Sequence, residues 1–324
     1  MSKVILGIDG GGTKTHAVLV DLDGNILATA ANGGANWERT GIAATQESLQ
    51  EIVSRALSLA GLTSQDIVAA TFALAGIDWE SDKDLFAPTI TALKLPSSTS
   101  FINDSIAALF AGSPSGIGCV SIAGTGGKTS GRSATKTLQT MGMDLGEGGG
   151  AGQLVSLALD YAARIYHGIE SPSKLAELIL SECGYSDETS LFKAVARDGL
   201  RLTEDLAPKI FDLAAAGDAG AIAIVSTVAN QHATDVIAMV DQLGLAGSPV
   251  QVIRAGGLHT AACKTFDQTF ETALKAKHSG ATTQVLDISP VYGAVVHAAH
   301  HHFGEAAPEF LTNLFEQARA KGDL

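Results

Sequence analysis

The sequence has 324 residues and is 46% hydrophobic, enough to bury a sizeable core and to form two domains. Its 21 Lys and Arg against 34 Asp and Glu give a net charge of -13, which disfavours nucleic acid or an anionic membrane as the main partner. Cys119, Cys183 and Cys263 lie far apart and predict no disulfide framework or metal–thiolate site. Without a recognisable leader or membrane-spanning apolar run, we expect a cytoplasmic protein.

Strands alternate with helices through the first third of the chain. Apolar runs bounded by turn residues predict strands at 3–8, 16–20, 25–30, 67–74 and 100–102. Helical spacing predicts helices at 41–60, 82–93 and 105–111. The resulting order, βββαβαβα, predicts an α/β fold with a mostly parallel sheet.

A related order begins again after a turn-rich stretch, Gly112–Gly116. Strands are predicted at 118–123, 128–132, 137–140, 250–254 and 283–286. Helices are predicted from Ala151 to about 243, and at 258–274 and 291–302. Two copies of one pattern, the second with a helical insertion, predict an internal duplication. We therefore predict domains at 1–114 and 115–324, with a ligand cleft between them.

A glycine-rich turn, DGGGTKT, joins the first two strands at Asp9–Thr15. Consecutive glycines allow a tight turn whose amide N–H groups can approach an anion, and Thr13 and Thr15 add hydroxyl donors. Asp9 ends the strand and could hold a hydrated Mg²⁺. The alternative is that the glycines serve the turn conformation alone.

The second half carries two further small-residue segments. SIAGTGG at Ser121–Gly127 occupies the same place between strands as the first turn, so the two hairpins would face a polyphosphate from both sides. IRAGGL at Ile253–Leu258 joins a strand to a helix and would admit a ribose or a flat ring, or form a plain turn. Neither a Walker A loop nor a Rossmann fingerprint fits: Ile122 replaces the first Walker glycine, and Gly146–Ala151 lacks the βαβ context.

These three segments together resemble the first phosphate, second phosphate and adenosine motifs of the actin/Hsp70/sugar-kinase superfamily. Within it, the chain is most similar to the BadF/BadG/BcrA/BcrD ATPase group, which includes N-acetylglucosamine kinases and bacterial glucosamine kinases. The resemblance implies two duplicated ribonuclease H-like (actin-like ATPase) domains, ATP with Mg²⁺, and a homodimer. It implies Mg²⁺ at Asp9 and ATP at Gly10, Gly11, Gly12, Thr13, Lys14, Gly124, Thr125, Gly126, Gly256 and Gly257.

Two further segments resemble family motifs and predict where the sugar binds. FINDS, at 101–105, resembles the connecting motif that carries the family's catalytic aspartate, so Asp104 is the expected base and Asn103 an expected substrate contact. A carboxylate can accept the proton of an attacking sugar hydroxyl, although an Asp before a helix also commonly caps it. GGANW, at 33–37, resembles a sugar-contacting loop, with Asn36 on the hexosamine and Trp37 either stacking on the sugar or packing at the rim.

One stretch departs from the family pattern. Kinases of the N-acetylglucosamine branch usually show an LGDEGSA-like segment, whereas this chain has LGEGGGA. Glu147 takes the first acidic position, Gly148 replaces the second acid, and Asp144 lies nearby as a substitute. Glu147 is either a sugar contact or a solvated loop charge. The departure affects the identity of the sugar more than the type of reaction.

The predicted function is an ATP-dependent kinase that phosphorylates the 6-hydroxyl of a hexosamine, with N-acetylglucosamine as the first candidate. Glucosamine or a cell-wall amino sugar is the alternative substrate. A different class is an ATPase that activates a partner enzyme, but such relatives hold an iron–sulfur cluster with cysteines, a pattern missing here. An actin-like or chaperone-like protein would need extra subdomains. His297, His300 and His301 share a helix face, where a solvated helix end is favoured over a metal site.

Overall fold

The computed structural model describes residues 3–143 and 146–322, which form two five-stranded sheets and the helices that cover them. The strands are β1 Val4–Gly10, β2 Lys14–Asp21, β3 Ile26–Gly33, β4 Ile67–Leu74, β5 Ser100–Ile102, β6 Gly118–Ala123, β7 Gly127–Arg132, β8 Thr137–Gln139, β9 Val250–Ala255 and β10 Ala281–Val285. The helices are α1 Trp37–Thr40, α2 Ile42–Ala60, α3 Glu80–Asp84, α4 Ala87–Leu93, α5 Asp104–Gly112, α6 Ala151–Tyr166, α7 Lys174–Cys183, α8 Glu188–Arg197, α9 Ala207–Ala215, α10 Ala219–Gln242, α11 Gly257–Thr260, α12 Lys264–Lys277, α13 Pro290–Phe303 and α14 Pro308–Lys321.

The two sheets have the same strand order. The first runs β3-β2-β1-β4-β5 and the second β8-β7-β6-β9-β10, so each is the same path through five strands. In the first sheet β1–β2 and β2–β3 pair antiparallel, whereas β1–β4 and β4–β5 pair parallel. The predicted α/β fold with a repeated βββαβαβ pattern is confirmed. The expectation of a mostly parallel sheet is wrong for the first sheet, which is mixed because two of its four pairings are antiparallel. Parallel pairing also brings the carboxyl ends of β1, β4 and β5 to one edge of the sheet.

Alternation along β1 sends its side chains to two different cores. Val4, Leu6 and Ile8 belong to a fully buried cluster that includes the apolar stripe of α2, with Leu49 and Ile52. The stripe follows helical spacing, which explains why 42–60 folds as one amphipathic helix against this face.

The opposite face of the first sheet is covered by α5, α13 and α14. Ile5 lies in a cluster with Val291 and Val295 of α13. Gly7 allows the close crossing, because a Cβ at this position would lie 2.6 Å from Cγ2 of Val295. A helix near the end of the sequence is therefore part of the core of the first sheet.

The chain folds as two compact units whose bounds differ from the sequence division at 114 and 115. Unit 1 comprises 1–120, 130–137 and 286–324, and unit 2 comprises 121–129 and 138–285. The difference arises because α13 and α14 bury their apolar faces on the first sheet, although they follow the second half in sequence. As a division by repeated topology, domains at 1–114 and 115–324 stay a prediction.

Several helix bounds differ from expectation for local reasons. The helix predicted at 82–93 is two helices, since α4 begins anew at Ala87 with Pro88 in its first turn. The helix predicted at 258–274 is also two, interrupted at Ala262, whose φ of 52° is left-handed. Sequence reasoning missed α14 entirely, although Phe310, Leu314 and Ala318 are buried at helical spacing.

Unit 2 is built around the long helix α10. Its buried face includes Val225, Val228, Ala229 and His232, so the helix is a core element. Among the residues that the structure describes, no single helix is long and apolar enough to cross a membrane. The bent pair Glu204–Ala215 and Ala219–Gln242 meets that measure only when its two helices are taken together.

Candidate active site

The first glycine-rich turn, Gly10–Lys14, is called loop 1 here and is fastened to its own sheet by backbone hydrogen bonds. Gly11 N donates to Lys14 O at 2.9 Å, which closes the turn. Ala35 N donates to Gly11 O at 3.0 Å, and Ala75 N donates to Gly10 O at 2.9 Å. The loop is therefore held between the ends of β3 and β4, and this fixes the direction of its remaining amides.

The tip of loop 1 is exposed, as a phosphate-binding turn requires. Gly12, Thr13 and Lys14 are all solvent-exposed. Thr15 is different: its side chain is fully buried and its hydroxyl donates to Gly33 O at 2.7 Å. The expectation that Thr15 offers a hydroxyl to a ligand is therefore wrong, because β-sheet alternation turns it inward.

Two carboxylates lie together at the carboxyl edge of the first sheet. Asp9 stands near the end of β1, and Asp104 follows the end of β5, in the same unit. Burial raises the pKa of Asp9 to about 8, and the negative charge of Asp104 adds to the rise. The pKa rises because burial disfavours the charged carboxylate, and a cation bound beside Asp9 would lower the pKa instead.

Asp104 is the first residue of α5, and its neighbour Asn103 is the N-cap. The Asn103 Oδ1 atom accepts from Ser105 N at 3.0 Å, and Asp104 Oδ1 also accepts from Ser105 N at 2.9 Å. The Asn103 Nδ2 atom donates to Asp78 Oδ1 at 3.0 Å and to Ile77 O at 3.3 Å. The buried Asn103 amide thus fixes the start of α5 and the position of Asp104, while a direct contact of Asn103 with substrate stays a prediction.

Asn36 and Trp37 adjoin loop 1 through the end of β3. Asn36 caps α1, since its Oδ1 accepts from Glu38 N at 2.9 Å. The Trp37 indole N–H donates to Gly76 O at 2.8 Å, and the ring packs on the core beneath α2. These contacts favour packing over sugar stacking for Trp37. Roles of both residues in sugar binding stay predictions.

The second glycine-rich turn, Gly124–Gly127, is called loop 2 and is packed differently. Gly124 N donates to Gly126 O at 2.9 Å, and Ala151 N, at the start of α6, donates to Gly124 O at 2.8 Å. A Cβ on Gly127 would lie 1.8 Å from Gly148 O, and one on Gly150 would lie 2.2 Å from Gly124 O. The first turn of α6 therefore satisfies the carbonyls of loop 2, and only glycine permits the contact.

A cavity of about 410 Å³ opens beside loop 2, within unit 2. Its walls come from three places in the sequence: loop 2 with the start of α6, the turn at Gly257 and Leu258, and the helical insertion. The insertion contributes mostly apolar atoms and one carboxylate, and the cavity residues from it are Glu204, Ala207, Pro208 and Phe211. Such a space, largely apolar with a few polar groups, suits a flat heteroaromatic ring.

The adenosine-type turn approaches loop 2 closely. Gly256 has φ 88°, and a Cβ there would lie 2.6 Å from the Ala123 carbonyl carbon. A side chain would therefore clash with the base of loop 2 as well as strain the backbone. The close approach to loop 2 thus explains the glycine at 256, and Gly257 lines the cavity. The contact of both residues with adenosine stays a prediction.

Glu147 has a role that neither sequence interpretation included. Its Oε1 accepts from Met141 N at 2.7 Å and its Oε2 from Met143 N at 3.0 Å. The carboxylate therefore holds the backbone at Met141 and Met143, and substrate contact by Glu147 stays a prediction. Asp144, the suggested substitute acid, lies outside the described residues.

Gly148 stands where the family carries a second acid, and the structure explains why no side chain fits. A Cβ there would lie 2.8 Å from Cγ of His232 on α10. The Gly148 N–H donates to Asp235 Oδ2 at 2.7 Å. Burial raises the pKa of Asp235, the hydrogen bond from Gly148 opposes that rise, and the charge of Glu147 reinforces it. A carboxylate thus reaches this place from α10 instead of from the loop.

The histidines of α13 differ in exposure, and His300 is half-buried. His301 and His302 are exposed, as expected of a solvated helix end. His297 is partly buried, its Nδ1 lies 2.9 Å from the Thr71 hydroxyl, and burial is the main cause that lowers its pKa to about 3. The solvated interpretation is wrong for His297, because α13 turns this residue onto the sheet. Within the described chain, no three His, Cys, Asp or Glu side chains are grouped to hold a metal.

A model of one protein family matches the chain from residue 6 to residue 298. That family is described as the BadF/BadG/BcrA/BcrD ATPase family. The chain belongs to it. The loops, the adenosine-type turn and the paired carboxylates of this ATPase family member all lie inside the matched range.

Named relatives of this family member are sugar kinases. It is 31% identical over 130 residues to an N-acetylmuramic acid/N-acetylglucosamine kinase of Clostridium acetobutylicum, and the match spans 40% of this chain and 42% of that protein. It is 27% identical to an N-acetyl-D-glucosamine kinase of Dictyostelium discoideum, over 76% of this chain and 82% of that one. A solved structure from Chromobacterium violaceum, provisionally described as an N-acetylglucosamine kinase, shares the fold with a TM-score of 0.66 at 21% identity, over 91% and 98% of the two chains.

Two contributors to the site escaped sequence reasoning. Arg39, on α1, reaches loop 1, since a Cβ on Gly12 would lie 2.8 Å from its Nη1 atom. Phe211, on α9, lines the cavity. Arg39 comes two residues after the predicted sugar loop at 33–37, so sequence reasoning could have proposed this cationic side chain as part of the site. Phe211 sits in an amphipathic helix with no local feature that distinguishes a cavity wall from an ordinary core position.

Proposed function

We propose that this protein is an ATP-dependent kinase that phosphorylates the 6-hydroxyl of a hexosamine, with N-acetylglucosamine as the first candidate. The observation that carries the proposal is the pair of carboxylates, Asp9 and Asp104, beside an exposed glycine loop. Phosphoryl transfer to an alcohol needs a base for the hydroxyl proton and a site for a phosphate-bound cation. The pair offers one carboxylate for each task.

Asp104 is the proposed base. A carboxylate at hydrogen-bond distance accepts the proton of the sugar hydroxyl as its oxygen attacks the γ-phosphorus. The hydrogen bonds of Asn103 to Asp78 and Ser105 hold the start of α5, so the Asp104 carboxylate is positioned by a buried support. Such a support limits the motion of the base and lowers the cost of aligning it with the acceptor.

Asp9 is the proposed Mg²⁺ contact, and the structure offers one test of that fit. A partly buried carboxylate with a raised pKa lacks a compensating charge, and a divalent cation would supply it. When bound, Mg²⁺ neutralises charge on the phosphate oxygens. Asp9 would hold the ion through an oxygen or a bound water, and the exposed amides of loop 1 would receive phosphate oxygens.

The cavity of unit 2 is the proposed adenosine site. Apolar side chains such as Phe211 and Leu258 can enclose an adenine ring, while Gly257 leaves room for a ribose. Thr125 and Gly126 at the tip of loop 2 are exposed and can meet phosphate. The proposed nucleotide contacts are thus Gly10–Lys14, Gly124–Gly126, Gly256 and Gly257.

The choice of sugar rests on the names of relatives, whereas the choice of reaction rests on the carboxylate pair. The names of two relatives support an N-acetylated hexosamine, and one of those names adds N-acetylmuramic acid. Asn36 and Trp37 are proposed on the sugar, together with Asn103 and Glu147. The specific observation that favours a cell-wall amino sugar as the second candidate is the name of one relative, an N-acetylmuramic acid/N-acetylglucosamine kinase.

The test is ADP release with MgATP and a panel of N-acetylglucosamine, glucosamine, N-acetylmannosamine, N-acetylmuramic acid and glucose. We expect strong stimulation by one amino sugar, and phosphorus NMR of the product should show a 6-phosphate. N-acetylmuramic acid as the best acceptor would select the cell-wall alternative. A flat panel with slow basal hydrolysis would reject the sugar-kinase proposal and favour an ATPase that acts on a partner protein.

A homodimer in the cytoplasm, without nucleic-acid or membrane partners, completes the proposal. The net charge of -13 supports the exclusion of anionic partners. Light scattering after size exclusion would measure the mass against the 33.1 kDa of one chain. A mass near one chain at micromolar concentration would reject the dimer.

A further inference from the structure

A chain of buried hydrogen bonds runs through three segments of unit 2. His259 Nε2 lies 3.1 Å from the Ser121 hydroxyl, and that hydroxyl lies 3.0 Å from Nδ1 of His232. Nε2 of His232 lies 2.8 Å from the carbonyl oxygen of Gly149. Ser121, His232 and His259 are at most 1% exposed, so the serine hydroxyl does not act as a solvent-facing nucleophile. The hydrogen bonds among the three residues therefore need another explanation.

The direction of every proton in this chain follows from its last acceptor. A carbonyl oxygen only accepts, so Nε2 of His232 carries a proton. Burial lowers the pKa of both histidines, which are therefore neutral, and Nδ1 of His232 is then an acceptor. The Ser121 hydroxyl donates to it, and so accepts from a proton on Nε2 of His259. The chain runs in one direction, from His259 through Ser121 and His232 to Gly149.

The members other than His232 belong to segments that border the proposed nucleotide cavity. Ser121 lies on β6, three residues before loop 2 begins at Gly124. His259 lies on α11, two residues after Gly257. Gly149 precedes the first turn of α6, which binds the carbonyls of loop 2. The chain therefore joins the two walls of the cavity and the support beneath loop 2.

Packing leaves the chain little freedom. The absence of a Cβ at Gly148 is what allows the His232 ring to approach, and Phe266 and Phe270 meet His259 edge-on with ring centroids 5.2 Å and 5.3 Å away. Among the residues that the structure describes, Nδ1 of His259 is buried without a hydrogen-bond partner. A buried polar group without a partner costs stability, so the position of His259 is not explained by stability alone.

We propose that Ser121, His232 and His259 are positioning residues that hold loop 2 and the Gly256–Gly257 turn at the spacing that MgATP requires. The inference rests on the proposed assignment of the nucleotide to this cavity. Without these hydrogen bonds, unit 2 still folds, but only a fraction of the molecules have the two cavity walls at the spacing that binds nucleotide. Apparent affinity for nucleotide falls by that population, while acceptor binding is unaffected.

The test is calorimetric titration of the full-length protein with MgATP. Ser121→Ala removes both histidine contacts without adding volume, and we expect a dissociation constant about tenfold higher. The KM for the best acceptor sugar should change by less than about twofold. Glutamine can replace a histidine that uses only Nε2, so His259→Gln should keep near wild-type affinity, whereas His259→Leu should lose as much as Ser121→Ala.

Thr71→Val is the matched control. It removes another buried hydroxyl–histidine contact, between Thr71 and His297, from unit 1. It should lower the melting temperature as Ser121→Ala does and leave the MgATP dissociation constant unchanged. Equal MgATP affinity in wild type and Ser121→Ala would overturn the inference, as would equal loss in both variants. No MgATP binding by the wild type would instead reject the proposed nucleotide site.

Discussion

Loops 1 and 2 occupy the same place in two sheets of the same order, yet their surroundings are opposite. Loop 1 lies beside carboxylates, Asp9 and Asp104, and near the guanidinium of Arg39. Loop 2 is supported by an uncharged network of Ser121 and two neutral histidines, and by the first turn of α6. Duplication preserved the backbone path, while the chemistry of each copy changed.

The difference also concerns how each loop is packed. A Cβ on Gly12 of loop 1 would meet the flexible end of the Arg39 side chain at 2.8 Å. A Cβ on Gly127 of loop 2 would meet a backbone carbonyl at 1.8 Å. The surroundings of Gly12 in loop 1 can therefore adjust to an added side chain, whereas those of Gly127 in loop 2 cannot. We infer that loop 1 serves the reacting groups and that loop 2 serves the shape of the nucleotide site.

The largest expected effect comes from removing the carboxylate of Asp104, beside loop 1. Asp104→Ala should lower kcat by about 10²–10⁴-fold, because the sugar hydroxyl loses its base, while the MgATP dissociation constant changes by less than about twofold. Steady-state kinetics and calorimetry measure the two quantities. Asp23→Asn, in the exposed β2–β3 turn, is the charge-matched control and should behave as wild type. Comparable turnover in Asp104→Ala would remove the base assignment.

The next effect tests whether the loop 2 side binds the nucleotide. Ala261 is exposed at the cavity wall, so Ala261→Tyr would fill the cavity without disturbing the core. We expect a MgATP dissociation constant at least about tenfold higher, with the acceptor KM little changed. Ala276→Tyr, at an exposed position of α12, adds the same ring elsewhere on unit 2. Equal affinities in the two variants would show that the adenosine binds elsewhere.

A smaller effect compares the packing of the two loops through glycine substitutions. Gly127→Ala should destabilise the protein by about 1–3 kcal/mol, because the clash is with backbone. Gly126→Ala, where a Cβ meets nothing within 4 Å, and Gly12→Ala should each change stability by less than about 1 kcal/mol. Thermal denaturation of the three variants gives the comparison. If Gly12→Ala lowers the free energy of unfolding as much as Gly127→Ala does, the proposed difference in packing around these two glycines is wrong.

A separate effect, measured without nucleotide, is a pH dependence that has its origin in Asp9. The folded protein keeps the Asp9 proton up to about pH 8, whereas the unfolded chain loses it near pH 3.8. Unfolding therefore releases a proton between these values, and the stability contribution of Asp9 falls as pH rises through that window. With a chelator and no nucleotide, Asp9→Asn should gain stability relative to wild type as pH rises from 4 to 8, seen as a shift in Tm.

Asp66 supplies the control of opposite sign. Hydrogen bonds from the Thr63 backbone and hydroxyl lower the pKa of its carboxyl. Its contribution is present above the unfolded pKa and is lost as pH falls through the lower folded pKa. Asp66→Asn should therefore lose stability relative to wild type at neutral pH and converge with it in acid. The same trend in both variants would contradict the electrostatic account of Asp9.

The fold was largely predictable because its strands are short apolar runs between turn residues. β4, β5 and β6 begin and end at the predicted residues. The order of strands, repeated with a helical insertion, was enough to predict the duplication. The assignment of α13 and α14 to unit 1 was not predictable, since an amphipathic stripe says that a helix packs but does not say against which sheet.

The site was predictable where a motif is local and not where distant segments meet. Asp9, loop 1, loop 2 and Asp104 are each contiguous with a strand end, so sequence order alone placed them. The cavity wall from α9 and the network between Ser121, His232 and His259 join segments up to 138 residues apart. Glu147 shows the remaining difficulty: both interpretations of its charge overlooked the backbone amides of Met141 and Met143.

The position of α13 in the core of the first sheet has a consequence for synthesis on the ribosome. Strands β1–β5 emerge early, but the helix that covers Ile5 and Val18 is made only after all of unit 2. At about 5–20 residues per second, one face of the sheet waits roughly 10–40 s for α13. Unit 2, whose residues are contiguous apart from a short insertion, can finish first. The nascent amino-terminal half is thus the part of this protein most in need of protection by chaperones.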